Sequence, residues 1–415
     1  LKANQRINFV KTRSFGALGI GVLLVTGTIQ AGEWTQWRGN HRDGKAESFQ
    51  PPAVWPQSLS PQWTVPVGKG DTSPALSQGR LFTFGRKDTN EWVQCLDASN
   101  GKVLWSQEYP EPFVVQGPSA GHPGPRGSVA VAQGRVFTLG IAGILTCWNA
   151  ESGSILWRKA SVEDYGGVEF HSDTSMSPLL VDDLCVVHIS GGEKGTLMAI
   201  AAADGQIRWK TPCEPSISSS PVVAEIGGRR QLVTLSAKEL IGVDLAAGTV
   251  LWQLPFESNR GNCTTPVVDG TNIFLTGEQK GLIRAMVEKT GADYRVTTLW
   301  TNKPQVSRMT TPVLHDGALY GFSDRFFCAD ARSGEARWVV KGGPAAGYYG
   351  SVVDCGTVML GQTLKGDLVF FKADTKAYEE LARYKVSGTE LWALPVVSEK
   401  RIYVRDAETV SLWNL

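Results

Sequence analysis

The sequence has no Cys-x-x-Cys, no adjacent cysteine pair and no Cys-x-x-Cys-His, although it holds seven cysteines. Thiol zinc sites of that spacing, dithiol exchange motifs and covalent haem attachment are therefore excluded. The odd count leaves at least one thiol unpaired in an oxidising compartment. Histidine is scarce, at five residues in 415. His41, His188 and His315 are scattered. His122 and His171 have no third ligand beside them, so no metal is expected. No run of basic residues occurs, which argues against a nucleic-acid groove. No apolar stretch beyond the N-terminus approaches the ~20 residues needed to span a bilayer. The glycines around Gly191-Gly192-Glu193-Lys194-Gly195 precede no helical pattern, so a phosphate loop is not indicated. No motif anchors a Ser–His–Asp arrangement.

What is abundant is glycine, with 46 residues, and tryptophan, with 14. That profile suits many short strands joined by tight turns. Formal net charge is +1. Of 41 Lys and Arg, four (Lys2, Arg6, Lys11 and Arg13) lie in the first 31 residues, which contain no acid; the remaining 37 face 40 Asp and Glu. The basic start, the apolar run over residues 15–29 and the small Ala31 read as a signal peptide cleaved after residue 31, with an uncleaved anchor as the alternative. No cysteine near that point offers a lipid attachment. A periplasmic or secreted location follows as the expectation.

One pattern recurs along the chain. Ser73-Pro74-Ala75-Leu76 is followed by Gly79-Arg80-Leu81-Phe82-Thr83, then Cys95-Leu96-Asp97-Ala98, then Gly101-Lys102-Val103-Leu104-Trp105. Further copies open at Ser128, Ser177, Ser220, Thr265, Thr311, Ser351 and Leu394. Most end in tryptophan: Trp157, Trp209, Trp252, Trp300 and Trp338. The seventh copy lacks a terminal Trp, and residues 380–385 take that place. Each copy holds four β-type runs separated by turn residues. A four-stranded repeat of roughly 40–50 residues is the pattern of a propeller blade. The spacing predicts an all-β, eight-bladed β-propeller of four-stranded antiparallel blades. The eighth copy supplies only three strands. An orphan strand at residues 62–67 precedes the first copy and carries Trp63, so it is expected to close the ring beside Ser411-Leu412-Trp413. The expected division is a signal peptide over 1–31, a lead segment over 32–61 and the propeller over 62–415. The Trp residues are read as blade-to-blade packing, and Cys95, Cys147 and Cys328 as small buried strand residues.

The run Leu96-Asp97-Ala98-x-x-Gly101-Lys102-Val103-Leu104-Trp105 resembles the repeat of pyrroloquinoline-quinone-type propellers. Trp34-x-x-Trp37-Arg38-Gly39 with Arg42-Asp43-Gly44 resembles the lead segment of exported bacterial proteins built from it. The resemblance implies one of two functions. Quinoprotein dehydrogenases oxidise alcohols or sugars with bound pyrroloquinoline quinone and Ca²⁺. Non-catalytic propellers include the propeller lipoprotein of the outer-membrane β-barrel assembly machine. Alcohol-oxidising members of the first branch commonly place an adjacent Cys-Cys disulfide above the quinone, which this chain lacks. The expected function is therefore a non-catalytic scaffold with no cofactor; the quinone with Ca²⁺ belongs to the alternative.

In such a ring the loop before each first strand opens at one mouth of the central channel. These loops hold Asp71, His122, Arg126, His171, Asp173, Arg260, Asn262, Arg308, Tyr348, Tyr349, Glu390 and Trp392. They are the candidate ligand site, a polar and aromatic funnel for a protein or small ligand, a glycan included. Alternatively they satisfy buried backbone or line a water-filled channel. A monomer is expected.

Overall fold

The computed structural model describes residues 32–112, 114–115, 120–168, 175–191, 194–216, 218–258, 262–307, 309–340 and 349–415. His171, Asp173, Arg260, Arg308 and Tyr348, like the proposed signal peptide, lie outside them. The described residues form strands β1–β32 in eight four-stranded antiparallel sheets, and no helix occurs among them. Blades 1 to 7 follow the chain in order, over residues 75–110, 130–159, 179–213, 222–255, 267–302, 313–339 and 350–385. Blade 8 takes three strands from residues 396–414 and its fourth from β1 (Pro61–Pro66). β1 pairs antiparallel with β32 (Thr409–Asn414), Trp63 facing Leu412 and Thr64 facing Ser411. The eight-bladed propeller closed by an N-terminal strand is thus the observed architecture.

The repeat works through one local device. In every blade the ladder between the third and fourth strands slips by one residue at the same place, a β-bulge. In blade 1, Cys95 pairs with Trp105 and Leu96 with Val103, so Leu104 is the extra residue. This explains why Leu104 and Leu156 are exposed although apolar. The bulge re-aims the following Trp toward the next blade. There it lies on the turn glycine: a Cβ on Gly153 would sit 2.7 Å from the Trp105 ring. Gly153 also has φ +73°, which a side chain rarely adopts. The indole N–H then donates to a carbonyl beyond that turn, Trp105 to Ala150, Trp157 to Ala202 and Trp209 to Leu245, each at 3.0 Å. Trp63 contacts Gly101 and Trp300 contacts Gly334 in the same way.

Two blades depart, for identifiable reasons. Blade 7 has Ala382 at the tryptophan position. Its neighbour, blade 8, takes its fourth strand from β1, so no third-to-fourth turn with a glycine stands opposite. Trp55 of the lead segment instead packs on Phe370 of blade 7 at 4.7 Å. Trp252 faces the long hairpin of blade 5, formed by Gly281–Thr290 and Asp293–Asn302, whose turn lies further along the chain from Trp300 than the turn glycines of the other blades lie from their tryptophans. Its indole N–H turns to Gln231 of its own blade, at 2.7 Å. The ring still shares a buried cluster with Ile273, Leu275 and Ile283 of blade 5, so Trp252 packs between blades with its polar end turned to its own.

A second ring of contacts lies at the inner strands. The N–H of Ser73 donates to the Ser128 hydroxyl, Ser128 to Ser177, Ser177 to Ser220, and Thr265 to Thr311, at 2.9–3.0 Å. The Ser or Thr that opens repeats 1 to 6 therefore takes part in an inter-blade link. All seven cysteines are free thiols. Cys95, Cys147 and Cys328 are fully buried, and burial pushes the Cys95 thiol up to about 11.

The lead segment fills the channel from the end where the first and second strands turn. Trp34 pairs with Leu76, and the Val131 N–H donates to Thr35. Trp37 donates to the Thr265 hydroxyl at 3.1 Å, and the Ala46 N–H to Asp354 at 2.7 Å. Arg38 is 2% exposed, and its guanidinium donates to Thr311 and Pro312 at 2.9 Å and to Asp43 at 3.1 Å. Arg42 donates to Pro178 and Ser177 at 2.8 and 3.0 Å. Burial lowers the Arg38 pKa to about 10, still charged at neutral pH. The two arginines thus tie blades 3 and 6 to one segment across the ring. Arg38→Leu strands carbonyls of Thr311 and Pro312 and is expected to cost about 2–4 kcal/mol in denaturant unfolding. An unchanged midpoint would show that the lead segment does not brace the ring.

Candidate functional site at the open mouth

The opposite mouth carries the loops that precede the first strands. The loop before blade 2 reads Gly121-His122-Pro123-Gly124-Pro125-Arg126-Gly127. It lies directly on the loop before blade 1: a Cβ on Gly124 would stand 2.0 Å from the Lys69 carbonyl. The Asp71 N–H donates to the Pro125 carbonyl at 3.0 Å. Only glycine permits this backbone approach, and it brings His122 over Asp71. The loop 68–72 is held from below by Arg405, fully buried, which donates to Gly68 at 2.9 Å, to the Thr72 hydroxyl at 2.6 Å and to the Phe84 carbonyl.

His122 Nδ1 stands 3.0 Å from Asp71 Oδ2. The His122 ring meets the Trp392 ring edge-on at 5.0 Å. Trp392 in turn stacks at a tilt on Tyr349 at 4.6 Å, and the Tyr349 hydroxyl donates to the Trp392 carbonyl. The Trp392 indole N–H donates to Glu390 Oε2 at 2.8 Å. Arg126 donates to the His122 carbonyl at 3.2 Å and to Ser175 Oγ at 3.4 Å. Six of the residues named from the sequence, Asp71, His122, Arg126, Tyr349, Glu390 and Trp392, therefore form one connected cluster. Beside it opens a pocket of about 490 Å³, lined by Asp71, His122, Glu390 and Trp392 together with Lys69 and Glu408. It sits between blades 8, 1 and 2, to one side of the ring.

Asn262 is the exception. It is 1% exposed, and its amide donates to the carbonyls of Ser236, Ala237 and Phe256. It braces the blade 4–blade 5 connection and takes no part in the pocket. Tyr349 is buried too, so it supports Trp392 rather than facing solvent. The sequence reading missed Lys69, two residues before Asp71, and Glu408. Glu408 lies in a second-to-third strand turn, which opens at the same mouth; that topological fact was the available signal.

The cluster joins one imidazole, two carboxylates and a guanidinium to two aromatic rings. The hydrogen bond to Asp71 raises the His122 pKa above the usual 6.5, against an opposing effect of burial. Burial lowers the Arg126 pKa. A thiol–imidazole contact elsewhere, Cys213 Sγ to His188 Nε2 at 3.2 Å, is no activated nucleophile: burial pushes the thiol up to about 12 and the imidazole down to about 4. Among the described residues no three His, Cys, Asp or Glu gather as metal ligands. A folded-state pKa raised above 6.5 means that the Asp71–His122 pair contributes its full stability below that pH and loses it as pH rises through the raised value. Proton NMR titration is expected to place His122 above 6.5 and to show Asp71→Asn lowering it. An unchanged titration in Asp71→Asn would remove Asp71 as the cause.

A family profile described as outer membrane protein assembly factor BamB matches residues 89–340. A relative of that name from Yersinia pestis is 25% identical over 54% of this chain and 58% of its own length, so the chain spans little more than half of it. One from Shewanella oneidensis is 24% identical over 83% of this chain and 85% of its own. Among solved structures, BamB from Moraxella catarrhalis superposes with a TM-score of 0.62 at 15% identity, covering 86% of this chain and 98% of that one. Quinohemoprotein alcohol dehydrogenase from Comamonas testosteroni gives 0.70 at 12% identity, over 92% and 80%. At such identities the structural likenesses establish the ring alone. With the profile match spanning more than half of its length, this chain belongs to the family described as outer membrane protein assembly factor BamB.

Proposed function

We propose that this chain is an exported, non-catalytic scaffold that binds a protein partner at the open mouth, across blades 8, 1 and 2. The observation that carries this reading is the asymmetry of the two mouths. One is filled by the chain's own lead segment. The other presents a pocket whose aromatic and charged groups are held in place by neighbours rather than by a ligand. Pre-organised aromatic and charged groups in a concave site are features of recognition surfaces. The relatives' name, outer membrane protein assembly factor, fits an exported protein whose work is to hold others, and a periplasmic location accords with it.

The described residues do not fit pyrroloquinoline quinone with Ca²⁺. A Ca²⁺ ion takes six to eight oxygen ligands, with carboxylates prominent. Here Arg38, Arg42 and Trp37 occupy the channel, and Asp71 at its mouth is committed to His122.

A photo-crosslinking residue at exposed Thr389, in the native host, is expected to give a discrete protein adduct. The same residue at Glu399, on the opposite face, should give none. Adducts from Glu399 alone would move the partner to the plugged face. Dye-linked alcohol oxidation on adding quinone and Ca²⁺ would overturn the scaffold reading.

A further inference from the structure

We propose that the pocket beside Trp392 receives a cationic side chain, the guanidinium of arginine or the ammonium of lysine, from a partner polypeptide. This rests on the scaffold reading and names the chemistry by which the partner is recognised.

The first support is a carboxylate left over. Asp71 is engaged by His122 at 3.0 Å, with Arg126 and the buried Arg405 as further cations around it. Glu408 has Lys69 at 3.9 Å. Arg405 spends its donors on Gly68, Thr72 and Phe84, beneath the loop. Glu390 has only the neutral indole N–H of Trp392 on Oε2, and Oε1 has no partner among the described residues. Among the described residues Glu390 therefore forms no ion pair, and the cation that feels its charge is His122, already bonded to Asp71.

The second support is the ring beside it. Trp392 is fixed by Tyr349 against the ring, by the Tyr349 hydroxyl on its carbonyl and by the edge of His122. Glu390 is tied to the same indole. An aromatic face attracts a cation, and a carboxylate next to it accepts charge-assisted hydrogen bonds from the same group. Because both are already held, little freedom is lost on binding. The pocket volume of about 490 Å³ accommodates a long side chain together with the backbone that carries it. Gly70, Ala120 and Gly121 leave it unfilled by side chains of their own.

The test uses the full chain and NMR of the Trp392 indole N–H, assigned by its loss in Trp392→Phe. N-acetyl-arginine amide is titrated in, beside the neutral isostere N-acetyl-citrulline amide and the anion N-acetyl-glutamate amide. The expected result is a saturable shift with arginine, none with citrulline or glutamate, and about tenfold weaker arginine binding in Glu390→Gln. Glu390 is exposed and outside the strands, so this variant keeps the fold. Equal response to citrulline, preference for glutamate, or undiminished arginine binding in Glu390→Gln would each overturn the proposal. Should protein adducts form from Thr389 while arginine amide fails to bind, cation recognition falls and the scaffold reading stands.

Discussion

Closure of the ring depends on the pairing of β1 with β32, and the rest of the molecule is arranged around that pairing. Seven blades are complete hairpin sets, but the eighth has only three strands until the beginning of the chain returns to it. The returning strand does three things. It satisfies the free edge of β32, it lays Trp63 on the turn glycine of blade 1, and it ties the lead segment to the ring it plugs. A ring without it would expose an edge strand next to Trp413, the kind of surface that invites strand addition.

The plug makes the two ends of the channel unequal. Arg38 and Arg42 reach carbonyls of blades 6 and 3 from a segment that also pairs with blades 1 and 2. Their burial is tolerated because each guanidinium finds several backbone acceptors. The pocket is consequently confined to the other mouth. Its loops are set by backbone contact at Gly124 and by Arg405 from beneath. A solved BamB and a solved quinohemoprotein alcohol dehydrogenase both share this ring, so the ring by itself assigns no function.

Most of the architecture was legible because the repeat is imposed by local physics. A turn glycine, a bulge and a tryptophan must keep a fixed spacing if each blade is to dock on the next, and that spacing survives in the chain as Gly-x-x-x-Trp. The exceptions were less legible. Trp252 turns toward its own blade, and the local sign is Gly242, its cross-strand partner, which leaves room for the ring where blades 1 and 3 carry Cys and Ala. The plug was invisible because the blade carbonyls its two arginines reach lie 135 to 274 residues away and it has no repeat. At the site, loop position located Asp71, His122, Arg126, Tyr349, Glu390 and Trp392. It did not tell which side chains face solvent. Asn262 occupies an equivalent loop yet spends its amide on backbone.

The central claim is that β1 is a structural part of blade 8 and that the ring opens as one unit. Native-state hydrogen exchange across residues 61–66 and 409–414 tests it most directly. Closure predicts that both segments exchange with the same opening free energy as the inner strands of the other blades. Fast, independent exchange of residues 61–66, while blades 1 to 7 stay protected, would contradict it.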